Sequence, residues 1–281
     1  MPKAVLRTHT FNAEAKIFEG SLRLPLVQQI QPQAHAQLPA EGGYKSQHSA
    51  GYRLEGILSY SAAHSQVAGN PGTKPGQGWE TLSTTVIENL NVLEVVTADR
   101  VVGQIITEHP LAGYVPHIHF LGTRFENLRI AGHPVHLDFD SDILGPKPLK
   151  DGAYTRDSGL KTRVSSQYDR ILKAKNLPED LHDRYNQLSS NLGSPEAVEC
   201  SLVNQAAGPY PGHSFGHVIV IPHFGTITLA KLTVTHTDFV TKTDSPKLTT
   251  VNLTMIDFKF GCAIDGGGGG GGNQSNGQTF P

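Results

Sequence analysis

Histidines in one short stretch of the chain have a spacing that could bind a metal ion. The residues from His117 to Asp140, HIHFLGTRFENLRIAGHPVHLDFD, include four histidines. On a β-strand His117 and His119 lie on the same face, and two imidazoles on one face can chelate a divalent ion. If the two halves of the chain pack face to face, three histidines of HSFGHVIVIPHFG could complete the site: His213, His217 and His223.

Other readings of these side chains stay open. The HxH pair resembles part of a cupin metal site, but Glu126 comes later than a cupin carboxylate should and belongs to a repeated ENL pattern. The histidines could equally decorate the polar face of strands whose other face is apolar. The segment DFDSD from Asp138 could bind calcium, yet an EF-hand would need Gly and Glu where Ile143 and Leu149 stand. A solvated strand end is the favoured interpretation of that segment.

The segment GHSFG matches the G-x-S-x-G pattern around a nucleophilic serine, Ser214. That pattern needs a strand before it and a helix after it, whereas this sequence predicts a loop and then a strand. The order of the other residues also fails, because no acid lies between Ser214 and His236 and no histidine follows Asp238. Enzymatic activity is therefore uncertain, and the sequence leans against it.

Trp79 directly follows the turn-rich segment GNPGTKPGQG. A single tryptophan beside a loop is more often a packing anchor than a ligand platform. The alternative is a carbohydrate-binding β module that uses Trp79 and nearby tyrosines.

A short recurring pattern predicts the strands that would position these residues. It reads ENLNV, ENLRI, AKLTV and VNLTM, with leucine third and an apolar residue fifth. With a period of two, each leucine shares one strand face with the following apolar residue. These leucines are Leu90, Leu128, Leu232 and Leu253. Together with 30 Gly, 18 Pro and only 17% charged residues, the pattern predicts a mainly β chain with an antiparallel, sandwich-like core, built from blocks at about 81–140 and 215–262.

A different texture separates the two blocks. RDSGLKTRVSSQYDRILKAKNL has a helical apolar stripe, and LPEDLHDRYNQLSSNLG has another, with Pro178 near its start and Gly193 as a stop. We predict a two-helix insertion at about 155–192 that caps an open end of the β core.

The C-terminus is dominated by seven consecutive glycines, Gly266 to Gly272, followed by NQSNGQTFP. Glycine loses the most backbone entropy on ordering, so the sequence predicts a single domain over 1–265 and a flexible tail over 266–281. The tail ends in Phe280 and Pro281, which could dock on a neighbouring subunit by strand addition.

Overall composition narrows the choice of partners and compartment. The net charge is −2 and the pI about 6.7, so no basic field is available for nucleic acid. No run of about eighteen apolar residues predicts a membrane span. The N-terminus lacks the apolar core of a signal peptide, which favours the cytoplasm, or the cell surface if another export route is used. Whether Cys200 and Cys262 pair is left open.

Four segments of the chain share apolar spacing and turn glycines: VIENLNVLEVVTADRVVGQI, TRFENLRIAGHPV, GTITLAKLTVTH and LTTVNLTMIDFKFGCAIDG. Together they resemble the choice-of-anchor proteins, the P type in particular, a loose set of bacterial β-rich proteins. The resemblance covers about half of the chain and rests on apolar spacing and turn glycines. It implies a β-sandwich-like surface or assembly module without known catalysis.

These observations favour a structural subunit of a homo-oligomeric assembly, lattice or filament, whose partner is another copy of the chain. Sparse surface charge promotes such self-association. The alternatives are a metal-binding protein or metal-dependent enzyme that uses the histidines, with a divalent metal as its cofactor, and a carbohydrate-binding module.

Overall fold

The computed structural model describes residues 7–23, 27–54, 56–73, 77–194, 196–239, 246–261 and 266–280. Two residues of the sequence interpretation, Cys262 and Pro281, lie outside the described residues.

The elements follow one another with short connections. In chain order they are β1 (Thr8–Thr10), β2 (Ala13–Leu22), β3 (Gln28–Ile30), β4 (Ala36–Gln37), β5 (Gly43–Ser49), β6 (Tyr52–Leu54), β7 (Leu58–Tyr60), β8 (Ala62–Pro71), β9 (Trp79–Val92), β10 (Val96–His109), β11 (His117–His119), β12 (Arg124–Glu126), β13 (Arg129–Ile130), β14 (His133–Pro134), β15 (His136–Phe139), α1 (Ser158–Leu172), α2 (Glu179–Asn191), β16 (Ala197–Ser201), β17 (Val203–Ala207), β18 (His213–Phe215), β19 (Val218–Ile221), β20 (Gly225–Asp238), β21 (Lys247–Phe260), β22 (Gly266–Ser275) and β23 (Gln278–Phe280).

Most strands belong to two antiparallel sheets. In sheet I, the strand order is β5–β8–β9–β10. Strands β11, β12 and β13 pair with successive parts of β10 on its far edge. Strand β7 pairs with β9 on the same edge as β8. In sheet II, the order is β18–β19–β20–β21–β22–β2–β3, with β16 on β20 and β4 on β2. Strands β2 and β22 contact β9 or β10 across the gap between the sheets. The predicted antiparallel, sandwich-like β core is confirmed.

The recurring leucines point into the core, as the period-two pattern predicts. All four are at most 4% exposed, and so are their apolar partners two residues on. The leucines are Leu90, Leu128, Leu232 and Leu253. Burying a side chain of this size stabilises the fold by about 1.5–3 kcal/mol, so the alternation in the sequence sets which face of each strand is buried.

The helical insertion is also confirmed, with α1 and α2 inside the predicted range of about 155–192. Asp157 caps α1, because its carboxylate accepts a hydrogen bond from the Leu160 backbone N–H at 2.7 Å. The apolar faces of both helices join the main core, and Gln167 Nε2 of α1 donates to the Ser201 carbonyl at 2.9 Å. The insertion is thus packed on the β core near β16. No helix in the described part of the chain is long and apolar enough to cross a membrane.

The predicted flexible tail is wrong for Gly266–Phe280. Gly266–Ser275 forms β22, which lies inside sheet II between β21 and β2, and Gln278–Phe280 forms β23. The backbone entropy of glycine opposes ordering, but here the glycine N–H and C=O groups have ladder partners on both sides. The tail is therefore part of the domain and not a separate segment after residue 265.

Candidate functional site

The most unusual site of the molecule is the position of its C-terminal strand. Antiparallel ladders join β22 to β2 along one edge and to β21 along the other, so that Asn273 lies between Ala15 and Leu253. Without β22 these two strands would present unpaired edges across an open slot, and such edges are templates for pairing with another strand.

The slot accepts a strand that has almost no side chains. A Cβ atom added to Gly267 would lie 2.4 Å from the Phe258 carbonyl oxygen, and one added to Gly270 would lie 3.2 Å from the Phe18 ring. Gly271 also has a φ of 70°, which favours glycine. Close packing of the neighbouring strands thus explains why glycine occupies these positions.

Polar side chains hold β22 where its glycines end. Ser83 Oγ donates to Asn273 Oδ1 at 3.0 Å, and Asn273 Nδ2 donates to Thr85 Oγ1 at 2.9 Å. The hydroxyls of Ser275 and Thr107 are 2.9 Å apart. All of these side chains are buried. Because glycine carries no side chain that distinguishes one register from another, these bonds to sheet I set the register of the whole strand.

Strand β23 is held by β1. Thr8 pairs with Phe280 and His9 with Thr279, and His9 Nδ1 lies 3.1 Å from Thr279 Oγ1. Phe280, predicted as an assembly contact, is 37% exposed on β23. Pro281, named with it, is outside the part of the chain that the structure describes.

An imidazole cluster lies beneath this terminal pair of strands. The His9 ring stacks on Trp79 with centroids 5.1 Å apart and touches the His109 ring at 4.6 Å. His109 is 2% exposed. Among the described residues, neither of its ring nitrogens has a partner in hydrogen-bonding geometry, and the same holds for His9 Nε2. A Cβ atom on Gly277 would lie 2.7 Å from His9 Nε2, so the chain between β22 and β23 closes directly over the pair.

Burial keeps both imidazoles neutral at pH 7. Desolvation lowers the pKa of His9 from 6.5 to about 4. It lowers the pKa of His109 to about 3, a shift that the charge of His9 increases and the nearby Gly277 backbone partly offsets. Sequence reasoning missed this pair, because its two members lie about a hundred residues apart. No short motif links them.

The histidines that the sequence proposed as metal ligands do not come together. His117 and His119 share one face of β11, as predicted, with ring centroids 6.4 Å apart. His213 and His223 are exposed elsewhere, on β18 and in a turn. Among the described residues, no group of three or more His, Cys, Asp or Glu is arranged to hold a metal ion.

His217, the fifth proposed ligand, is a buried core residue. Its Nε2 lies 2.9 Å from the Tyr185 hydroxyl of α2. Burial lowers the pKa of His217 to about 3, with a smaller contribution from the Arg184 charge. This bond ties the helical insertion to sheet II, which is a packing role.

Trp79 is a packing residue as well. It packs against a small apolar cluster that includes Phe11 and Leu38, and its ring is covered by His9. The tyrosines near it in sequence, Tyr52 and Tyr60, stack at 5.8 Å and line a separate cavity of about 560 Å³. The structure does not bring Trp79 into that cavity.

Two hydroxyl groups have sequence or structural neighbours like those of a nucleophile. Ser214 lies on β18 and donates to the Ala206 carbonyl at 2.5 Å, so the G-x-S-x-G match has neither the turn nor the base it would need. His236 lies between Asp238 at 3.1 Å and the Thr249 hydroxyl at 3.4 Å. That row resembles a hydroxyl–base–acid arrangement, but Thr249 is 3% exposed and no substrate could reach it.

The fold and the site define an antiparallel β-sandwich whose C-terminal strand fills the interior of one sheet. The chain belongs to the family described as Domain of unknown function (DUF8256), whose model matches residues 9–235. The match ends within β20, so that β21, β22 and β23 follow the matched region. No curated protein and no solved structure matches this chain.

Proposed function

We propose that this protein is a non-catalytic structural subunit that assembles with copies of itself by exchanging its C-terminal strand. One observation carries the proposal: β22, which contains the glycine run, is an interior strand of sheet II between β2 and β21. In an assembly, the slot between β2 and β21 of one copy receives β22 of the next. The proposal specifies how the homo-oligomer expected from the sequence would form, and it agrees with what the choice-of-anchor resemblance implies.

Such an exchange costs little free energy. An exchanged strand makes the same backbone hydrogen bonds in a neighbour as in its own sheet, so the bonds lost and gained cancel. Strand addition derives its affinity from these main-chain bonds. Because residues 266–272 are glycines, their part of the strand leaves without extracting side chains from a packed core. The net charge of −2 adds little repulsion between copies.

Mixing two single-cysteine variants tests the exchange directly. Asn252 of β21 pairs with Gln274 of β22, and both side chains are half-buried. One chain carries Asn252→Cys and the other Gln274→Cys, in a background where Cys200 and Cys262 are alanine. Neither chain can form the bond alone. We expect a disulfide-linked dimer on incubation of the mixture, seen on non-reducing gels, and larger species by native mass spectrometry of the unmodified chain.

A chain carrying both cysteines is the matched control. Its internal disulfide should lock β22 in its own sheet and abolish assembly, with reduction restoring it. A monomer at all concentrations, with no cross-link in the mixture, would show that the subunit hypothesis is wrong. Oligomers that form without the cross-link, and that the internal disulfide leaves intact, would mean that assembly uses another surface.

A further inference from the structure

We propose that His9 and His109 form a proton-operated latch that controls when the C-terminal strand is released. In this scheme, protonation of the two imidazoles undocks β1 and β23, and β22 can then leave sheet II, starting from the end next to β23. The inference rests on the proposed function for its biological use, but the release itself is a property of the single chain.

The geometry puts two ionisable rings in contact, and the Gly277 backbone only partly offsets the cost of an added proton on His109. The ring centroids are 4.6 Å apart, and the ring nitrogens without a hydrogen bond are His9 Nε2 and both nitrogens of His109. An imidazolium needs a partner for both N–H groups, and a buried charge without one is strongly unfavourable. Two imidazolium ions here would also repel each other. The site therefore accepts protons only by opening.

The charged groups around the pair do not offer a compensating partner. Lys147 disfavours a positive charge on His109, and its ammonium lies 3.6 Å from Asp151. Glu80, Glu108 and His117 line a cavity of about 170 Å³ beside His109, yet no nitrogen of His109 bonds to them. Near His9, the Arg7 guanidinium donates to the Gly113 carbonyl at 2.8 Å and lies over the Tyr114 ring.

The position of the latch matches the way in which a strand leaves a sheet. A strand separates progressively from one end, and the pair lies under β23, next to the Ser275 end of β22. The Thr279 hydroxyl is bound to His9, and Gly277 lies against both rings. Once these contacts open, the next side-chain anchors are Ser275 and Asn273, and beyond them only glycine backbone remains.

The sign of the pH effect follows from the depressed pKa values. Both groups titrate near 3–4 when docked and near 6.5 when exposed, so the released state binds more protons between these values. Docking is therefore strongest above pH 6.5 and weakens as the pH falls. Linkage gives about a 10-fold rise in the opening equilibrium for each histidine between pH 7.5 and 5.5, and about 100-fold for the pair.

Hydrogen exchange on the monomeric full-length chain measures this opening. After correction for intrinsic rates, we expect protection at the amides of 273–280 to fall by about 100-fold between pH 7.5 and 5.5, while amides in the centre of β20 change far less. His9→Phe, which keeps an aromatic ring on Trp79, should reduce the fall to about 10-fold. His9→Phe combined with His109→Asn should remove it. His133→Phe, on an exposed histidine of β14, is the matched control and should leave the wild-type profile unchanged.

Two results would overturn the latch: protection that does not fall with pH in the wild type, or an unchanged fall in His9→Phe, which is the conservative variant of the set. The cysteine mixing experiment keeps the two proposals distinguishable if the reduced chains are incubated together at pH 5.5 or at pH 7.5 and both mixtures are then oxidised briefly at pH 7.5, because disulfide formation needs the thiolate. More cross-linked dimer after incubation at pH 5.5 supports both. Loss of protection without any cross-link supports the latch and contradicts strand exchange, whereas cross-linking that is independent of pH does the reverse.

Discussion

Asn273 supplies the side-chain recognition that the seven glycines before it lack. It bonds to Ser83 and Thr85 of sheet I and is buried, whereas its neighbour Gln274 points outward and is half-buried. Asn273 therefore fixes the register of β22, as rows of buried apolar side chains fix the register of the other strands.

This predicts a large difference between two adjacent alanine substitutions. Asn273→Ala removes two buried hydrogen bonds and leaves the Thr85 hydroxyl without this partner, so we expect the free energy of unfolding to fall by about 2–4 kcal/mol. Gln274→Ala, the control, should change it by less than about 1 kcal/mol. Denaturant unfolding followed by circular dichroism gives both values. Equal effects of the two substitutions would contradict the role of Asn273 in fixing the register.

At the scale of elements, β22 fills a slot that the rest of the chain builds. Strands β2 and β21 are both long, and each pairs with β22 over nearly its whole length. The slot is therefore specific for an extended backbone, and the occupant contributes main-chain hydrogen bonds more than side-chain contacts.

A chain that ends at Asp265 should accordingly be complemented in trans. The truncated chain exposes two open strand edges, so we expect it to aggregate or remain partly unfolded. A synthetic peptide of residues 266–281 should restore solubility and a cooperative thermal transition. A peptide with Gly267→Ala should fail, because the added Cβ would lie 2.4 Å from the Phe258 carbonyl oxygen. A peptide with Gly272→Ala should succeed, because the nearest atom to its Cβ belongs to the flexible Lys16 side chain, at 3.3 Å. A stable, soluble truncated chain that ignores the peptide would refute this role of β22.

At the scale of the whole molecule, buried neutral histidines couple stability to pH. His109 lies under β1 and β23, whereas His217 lies against α2. Burial lowers the pKa of each to about 3. Because the unfolded chain binds more protons below pH 6.5, the stability due to these neutral rings is fully present above that pH and is lost as the pH falls.

We expect each of the two histidines to contribute a loss of about 2 kcal/mol in the free energy of unfolding between pH 7.5 and 5.0. Denaturant titrations at pH 7.5, 6.5 and 5.0 measure it, in a range where most carboxylates stay ionised. Because His9 contributes a similar loss, His109→Asn should remove about a third of the dependence, and substitution of the exposed His213 by alanine should leave it intact. A flat profile in the wild type would mean that these rings are not held neutral by burial.

Several features of the fold could be read from local patterns. The period-two leucines, Leu90 among them, predict the buried strand faces, because burial on one side of a strand requires that alternation whatever the partner strand is. The helical stripes and stop signals of 155–192 predict α1 and α2 for the same reason. The pairing of His117 and His119 on one strand face also follows from spacing alone.

Partners distant in sequence were decided by the tertiary structure. The sequence predicts that His217 is a metal ligand, but in the structure its ring nitrogen Nε2 lies 2.9 Å from the Tyr185 hydroxyl. His9 and His109 form one cluster because β1 places His9 beside the last residue of β10, which no short spacing encodes.

The β-rich class, the helical insertion and the buried faces of the strands follow from the amino-acid order alone, since each depends on side chains that are near one another along the chain. The place of the C-terminal glycines was decided only by the assembled sheets. Glycine has no side chain to signal a strand, and its backbone entropy predicts disorder. The unpaired edges of β2 and β21 outweigh that entropy, because each offers hydrogen-bond partners along its length, and those edges exist only once the rest of the sandwich has formed.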